Sequence, residues 1–255
     1  MRLSLSTWGL SRFPLYRVFR NVRELGFENI EFNLSSIEGS SDSIYDVKRL
    51  ISENNLTCAS VHGMGFYVRS PDEIKTAIYY GKRSIDLADT LSSKIVVVHS
   101  FVSDRLSNNV RRDVLQKIFT ELSAYSSAKG VELALENLSK GSKGYGKTAS
   151  ELKEIFDIAD MSMTLDFCHA KTMSSALSLV ETYKDKIQNI HISSDLHRPI
   201  RRITPHLDIF FRELIQNDYN GLITIELSPR HNKKISETKK NIEKYFSAPQ
   251  LIRLR

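Results

Sequence analysis

Cysteine is scarce in this chain: Cys58 and Cys168 are the only two in 255 residues. Both lie in or beside apolar, strand-like runs, so no disulfide framework is expected and a reducing, cytoplasmic setting is the default reading. No apolar run approaches the about 18 residues that a membrane-crossing helix requires, so no membrane partner is expected. The opening Met1-Arg-Leu-Ser-Leu-Ser-Thr7 alternates like a strand and has no signal-peptide core. No low-complexity linker divides the chain, and no glycine-rich turn follows the first strand-like run, which argues against an open dinucleotide-binding sheet. A base-stacking platform of interleaved aromatic and basic residues is also missing. Tyr67 and Tyr145 are the obvious loop aromatics near the candidate mouth.

What is present is ordinary in bulk and ordered in detail. The hydrophobic fraction is 41% and the charged fraction 26%, enough to bury a sizeable core. Eight short apolar or alternating runs recur: Leu3–Thr7, Asn29–Asn33, Cys58–His62, Lys94–Ser100, Glu132–Asn137, Met163–Phe167, Ile187–Ser193 and Gly221–Leu227. Segments of helical periodicity lie between them, among them Leu15 to Leu25 closed by Gly26, the stretch from Pro71, Val110 to Lys129, and Ser236 to Phe246. Thr148-Ala-Ser-Glu151 has the spacing of a capping box. Strand–helix alternation eight times over in this length predicts an α/β fold, a single (β/α)8 TIM barrel spanning residues 1–255, with 247–255 as a tail. The longest loops are expected at Leu34 to Asp42, Ser139 to Lys147 and Ser194 to Pro205.

The chemistry is carried by what ends these runs. The stretch Met163-Thr-Leu-Asp-Phe-Cys-His-Ala170 puts Asp166 and His169 three residues apart where a strand runs into a loop. By itself it also reads as a strand end with a capping Asp and a surface His. Other strand ends supply His62, His99, Glu136, His191 and Glu226, all towards the C-terminal face where barrel enzymes build their sites. An unpaired buried carboxylate costs several kcal/mol, so such a ring calls for a metal or for mutual protonation. His, Asp and Glu without thiolate favour zinc, manganese or iron. Cys168 fits a small residue in a tight turn better than a ligand, and Glu31 is open between a structural and a substrate-contacting role.

The formal net charge is +6. It concentrates in loops after three of the expected strands: Lys140, Lys143 and Lys147; His197, Arg198, Arg201 and Arg202; and Arg230 with His231, Lys233 and Lys234. A solvated basic surface is one reading. Three basic loops around a metal mouth point instead to a phosphate-bearing substrate.

With these residues in hand the chain resembles the xylose-isomerase-like TIM-barrel superfamily over nearly its whole length. The run Leu135-Glu-Asn137, Gly146, Glu151-Leu152 and Leu165-Asp-Phe-Cys-His-Ala170 looks most like endonuclease IV (AP endonuclease family 2). The resemblance implies zinc ligation by His62, His99, Glu136, Asp166, His169, His191, His206 and Glu226. Glu136 would bridge two metals, with His62 and His99 completing one and Asp166, His191 and Glu226 the other. His169 and His206 would serve a third, for which Thr204 stands where the family has an Asp. The glycine-glutamate-glycine that follows that histidine in the family is missing, as is the DNA-gripping loop after the second strand. The opening Leu5-Ser-Thr-Trp-Gly9 and Gly26-Phe-Glu-Asn-Ile-Glu31 read more like the isomerase branch.

Two activities are therefore expected. One is metal-dependent cleavage of phosphodiester bonds in DNA at abasic sites. The other is isomerisation or epimerisation of a sugar or sugar phosphate. Glu136, Glu226 and Asp166 are the candidate catalytic groups in either. A barrel that kept its ligands and lost the reaction is the third reading.

Overall fold

The structure is a computed structural model describing residues 1–37, 43–170 and 172–247. The expected tail lies, apart from Ser247, outside the described residues, and so does the end of the loop expected at Leu34 to Asp42. Eight parallel strands close into a barrel in sequence order. They are β1 (Arg2–Ser6), β2 (Asn29–Asn33), β3 (Thr57–His62), β4 (Ile95–Val98), β5 (Glu132–Glu136), β6 (Ser162–Asp166), β7 (Ile187–Ile192) and β8 (Leu222–Ile225). Each is followed by a helix: α1 (Leu15–Glu24), α2 (Ile44–Glu53), α3 (Ile74–Thr90), α4 (Asn108–Ala128), α5 (Ala149–Phe156), α6 (Met173–Tyr183), α7 (Pro205–Gln216) and α8 (Ile235–Ser247). The fold is the expected (β/α)8 barrel.

Alternation along each strand divides the buried residues into two layers. One side chain of each successive pair, such as Leu5, Ile30, Phe32, Leu133, Leu135, Leu165, Ile190 and Ile223, joins the core shared with the helices. The other points into the barrel. At its lower end Ile95, Val97, Ala134 and Leu222 make a separate small apolar cluster. Above them the interior is polar: Ser4, Ser6, Glu31, Ser60, Thr164, Asn189 and Thr224 are all fully buried. The strands are therefore apolar on the helix-facing side and largely polar on the side that faces the barrel interior.

Two irregularities adjust which residues face inward. The β2–β3 register shifts by one between Ile30/Cys58 and Glu31/Ser60, leaving Ala59 extra. The β6–β7 register shifts between Met163/Ile187 and Thr164/Asn189, leaving Gln188 extra. Such bulges re-aim side chains beside barrel sites.

The helix starts show where local chemistry worked. Thr148 accepts a hydrogen bond from Glu151 N at 3.2 Å, as a cap should. The Glu151 carboxylate, however, turns to Gly146 N (2.9 Å) and Lys147 N (2.7 Å), holding the preceding loop rather than closing a box. A complete box stands at α2, where Ser43 and Asp46 satisfy each other's backbone N–H groups.

Candidate metal centre

The predicted ligands converge at the C-terminal mouth. Glu136, at the end of β5, is the centre of the arrangement and is 1% exposed. Its Oε2 lies 3.1 Å from His99 Nε2 and 3.4 Å from His62 Nε2. Its Oε1 lies 3.3 Å from His169 Nδ1 and 3.4 Å from His191 Nδ1. Glu226 follows β8 directly, and its Oε2 lies 3.5 Å from His191 Nδ1. Three groups have ligand atoms within 4.8 Å of one another: His62–His99–Glu136, Glu136–Asp166–His191–Glu226, and Asp166–His169–His197. Glu136 joins the first two and Asp166 the last two.

Asn137 ties β5 to β6. Its side chain donates to Asp166 O at 3.0 Å and accepts from Asp166 N at 2.8 Å. Asp166 Oδ1 in turn accepts from His169 N at 2.9 Å, and Asn137 O lies 3.0 Å from His169 Nδ1. The Asp-x-x-His spacing thus forms a closed turn in which the aspartate orients the histidine.

The charges are those of a site built around a cation. Burial would lift the Glu136 carboxyl, but His99, His191 and His169 around it hold it well below the usual carboxylate range. Burial works against protonation of His62 and His169, yet Glu136 and Asp166 push them up to about 9 and about 10 respectively. His191 is raised well above its ordinary value by Glu31, Glu226 and Glu136, against the effect of burial. His99 is lowered, chiefly by burial, and Glu226 is raised by burial. Without a metal, His62, His169 and His191 carry the positive charge that the carboxylates demand.

The donor set fits a metal on a second ground. Among the buried side-chain atoms without a hydrogen bond are Glu136 Oε2, Asp166 Oδ2 and His191 Nδ1. All three belong to the four-residue group, and leaving them unmatched costs several kcal/mol. Three carboxylates and one imidazole suit a divalent ion such as zinc, manganese or iron.

Not every predicted residue joins. His206 lies exposed in the first turn of α7, outside the three groups. Thr204 caps that helix, accepting from Leu207 N at 3.3 Å. His197 takes the place expected of His206. It is reached through a turn in which Leu196 and His197 both have positive φ, 58° and 52°, a conformation that Asp-Leu-His does not announce. Lys147 is tied to Asp104 at 2.7 Å with its side chain 16% exposed, so it braces two loops. Lys140, Lys143, Arg198, Arg201, Arg202 and Arg230 remain exposed. Arg201 and Arg202 line a cavity of about 350 Å3 with Thr172, Thr204 and His206.

The aromatic walls also differ from expectation. Tyr145 is buried, and Tyr67 donates to Lys143 O at 2.7 Å. Trp8 instead meets His197 edge-on at 5.2 Å, and Phe101 stacks on His99 at 4.6 Å. Phe101 has φ 35°, and a Cβ on Gly65 would lie 2.4 Å from its ring, so the ring's place over His99 depends on that glycine.

Residues 19–247 match the model of the xylose isomerase-like TIM barrel family. The chain belongs to that family. An uncharacterised relative from Methanocaldococcus jannaschii is 23% identical, with 94% of this chain and 93% of that protein covered. Among solved structures, a D-tagatose 3-epimerase-like protein superposes with a TM-score of 0.81 at 19% identity, covering 96% of this chain and 97% of that one. The 3-keto-D-glucoside 4-epimerase of E. coli gives 0.80 at 17%, covering 97% and 100%. An AP endonuclease, family 2, from Brucella melitensis gives 0.77 at 16%, covering 96% and 98%. At these identities the likeness is one of fold. Proteins named as sugar epimerases and one named as an AP endonuclease thus stand among the similar structures. No helix among the described residues is long and apolar enough to cross a membrane.

Proposed function

We propose that the protein is a divalent-metal-dependent isomerase or epimerase of a sugar or sugar phosphate. The observation that carries this is the buried group Glu136–Asp166–His191–Glu226, in which two glutamates reach His191 Nδ1 from β5 and β8, at 3.4 and 3.5 Å. These four residues would hold the metal, which when bound polarises a carbonyl and fixes an adjacent hydroxyl. One glutamate then takes the proton from the carbon beside the carbonyl. The other returns a proton to that carbon from its opposite face, inverting it. Arginines in the loops at the mouth, Arg198, Arg201, Arg202 and Arg230, exposed and without an ion pair among the described residues, would hold a phosphate, and the epimerases among the similar structures support the sugar reading.

The test is solvent deuterium incorporation. Metal-loaded protein in D2O should label the carbon beside the carbonyl in at least one member of a panel of ketoses and sugar phosphates. Glu226→Gln should abolish the labelling. An unlabelled panel overturns the reading.

One feature favours a second activity, phosphodiester cleavage at abasic sites in DNA. His62–His99–Glu136 shares Glu136 with the four-residue group, and adjacent metals about 3.5–4 Å apart are the arrangement for in-line displacement at phosphorus. Two or three metals per chain together with incision of an abasic duplex would establish it. One metal per chain with no incision would eliminate it.

A further inference from the structure

We infer that Glu31 is a positioning residue which sets the tautomer of His191, so that Nδ1 faces the metal with its lone pair. The inference rests on the metal reading of the four-residue group. Glu31 sits in the middle of β2, inside the barrel, with none of its surface exposed. A carboxylate at that depth is expensive unless it is hydrogen-bonded, and here Oε2 carries the bonds while Oε1 has no hydrogen-bond partner among the described residues. Its Oε2 accepts from Ser60 Oγ at 2.9 Å and from Asn189 Nδ2 at 3.0 Å, and it lies 3.0 Å from His191 Nε2.

These contacts decide the direction of the third hydrogen bond. A carboxylate already accepting two hydrogen bonds offers no proton, so the imidazole must be the donor and Nε2 must carry the hydrogen. Asn189 is itself oriented: its Oδ1 accepts from Thr224 Oγ1 at 2.8 Å, which turns its amide nitrogen towards Glu31. With Nε2 protonated, a neutral His191 has its lone pair on Nδ1. That nitrogen is the one facing Glu136 and Glu226, and it has no hydrogen-bond partner.

The backbone is arranged to make this contact. The register shift at Ala59 brings Ser60 beside Glu31, and the shift at Gln188 sets Asn189 and His191 on the inward face of β7. Without either extra residue the parity of that strand would reverse, and the group would point at the helices. Two bulges that serve one carboxylate indicate that the barrel is shaped around it. A carboxylate behind a ligating imidazole fixes ring orientation and raises ligand basicity, and its loss characteristically costs 10–100-fold in metal affinity, as a rough range.

The test uses the full chain with zinc and needs no substrate. In zinc-loaded protein labelled with 15N-histidine, long-range proton–nitrogen correlation should show His191 bound to zinc through Nδ1, with a hydrogen on Nε2. Glu31→Gln keeps the shape, but its amide can donate to Nε2 and so place the hydrogen on Nδ1. Zinc affinity by chelator competition should fall roughly 10–100-fold, and Glu31→Asp should recover part of it. A merely structural role would lower the Tm of the metal-free protein and leave zinc affinity unchanged. Zinc on Nε2, or wild-type affinity in Glu31→Gln, overturns the inference alone. If Glu31→Gln does not fold, the wild-type spectrum still decides. Wild-type protein that takes up no zinc at His191 overturns the metal reading and this inference together.

Discussion

At the scale of single residues, the separation of His197 from His206 is the most direct claim. His197 lies 3.4 Å from Glu226 Oε2 through Nδ1 and meets the His169 ring edge-on at 5.3 Å, whereas His206 is exposed on α7. His197→Ala should lower the metal content or affinity of the protein, read by elemental analysis after dialysis. His206→Ala should leave metal content as in wild type and change stability by no more than about 0.5 kcal/mol, as expected of a surface position. Reversed results would return the third ligand role to His206. Phe101 makes a second residue-scale case. Gly65→Ala would force its ring off His99, and weaker metal binding without loss of the helical circular-dichroism signal is the expected outcome.

Elements supply the precision that the residues need. Thr204 stands where the endonuclease IV resemblance has a metal-ligating Asp, and here it opens α7 by accepting from Leu207 N. Thr204→Ala should therefore cost about 1 kcal/mol of stability, measured by denaturant unfolding, with metal content unchanged. A drop in metal content would show that Thr204 serves the site as well as the helix. The loops after β3, β4 and β5 are stitched into one wall by Val68 N to Phe101 O at 3.0 Å, Tyr145 N to Val102 O at 2.8 Å and Asp104 N to Lys143 O at 3.0 Å. That wall holds the Phe101 ring over His99. It also explains why Lys147 is spent on Asp104 and not on a ligand.

For the whole molecule, the site ties stability to pH in opposite directions with and without metal. In the metal-free protein His62 and His169 keep their protons up to about 9 and about 10, against 6.5 for a free imidazole. The folded chain then holds more protons than the unfolded chain between these values. Their contribution is fully present below pH 6.5 and is lost as pH rises through about 9 and 10. Bound metal requires neutral imidazoles, so metal-loaded protein loses stability as pH falls below about 6.5 and protons compete for the ligands. Thermal unfolding across pH 5–10 should show the protein in chelator losing stability as pH rises above about 6.5 and the protein in excess metal losing it as pH falls below about 6.5. Parallel slopes would show that these histidines do not serve a metal.

How much of this was legible along the chain follows from the range of the forces involved. The eight-fold alternation and its barrel are local patterns summed many times, and they appear where expected. So do Glu136, Asp166, His191 and Glu226, because an ionisable residue closing an apolar run marks a strand end whatever surrounds it. The positions of His197 and Glu31 are different in kind. His197 depends on two consecutive left-handed residues held by the loop, and Glu31 on which face of β2 turns inward. A one-residue register shift reverses that face, and register is set by pairing with a strand some thirty residues away. By itself, then, the amino-acid sequence determined the architecture and the ring of ionisable residues at the strand ends. Only the tertiary structure decided which histidine completes the third group and which carboxylate stands behind His191, because both are settled by contacts between segments distant along the chain.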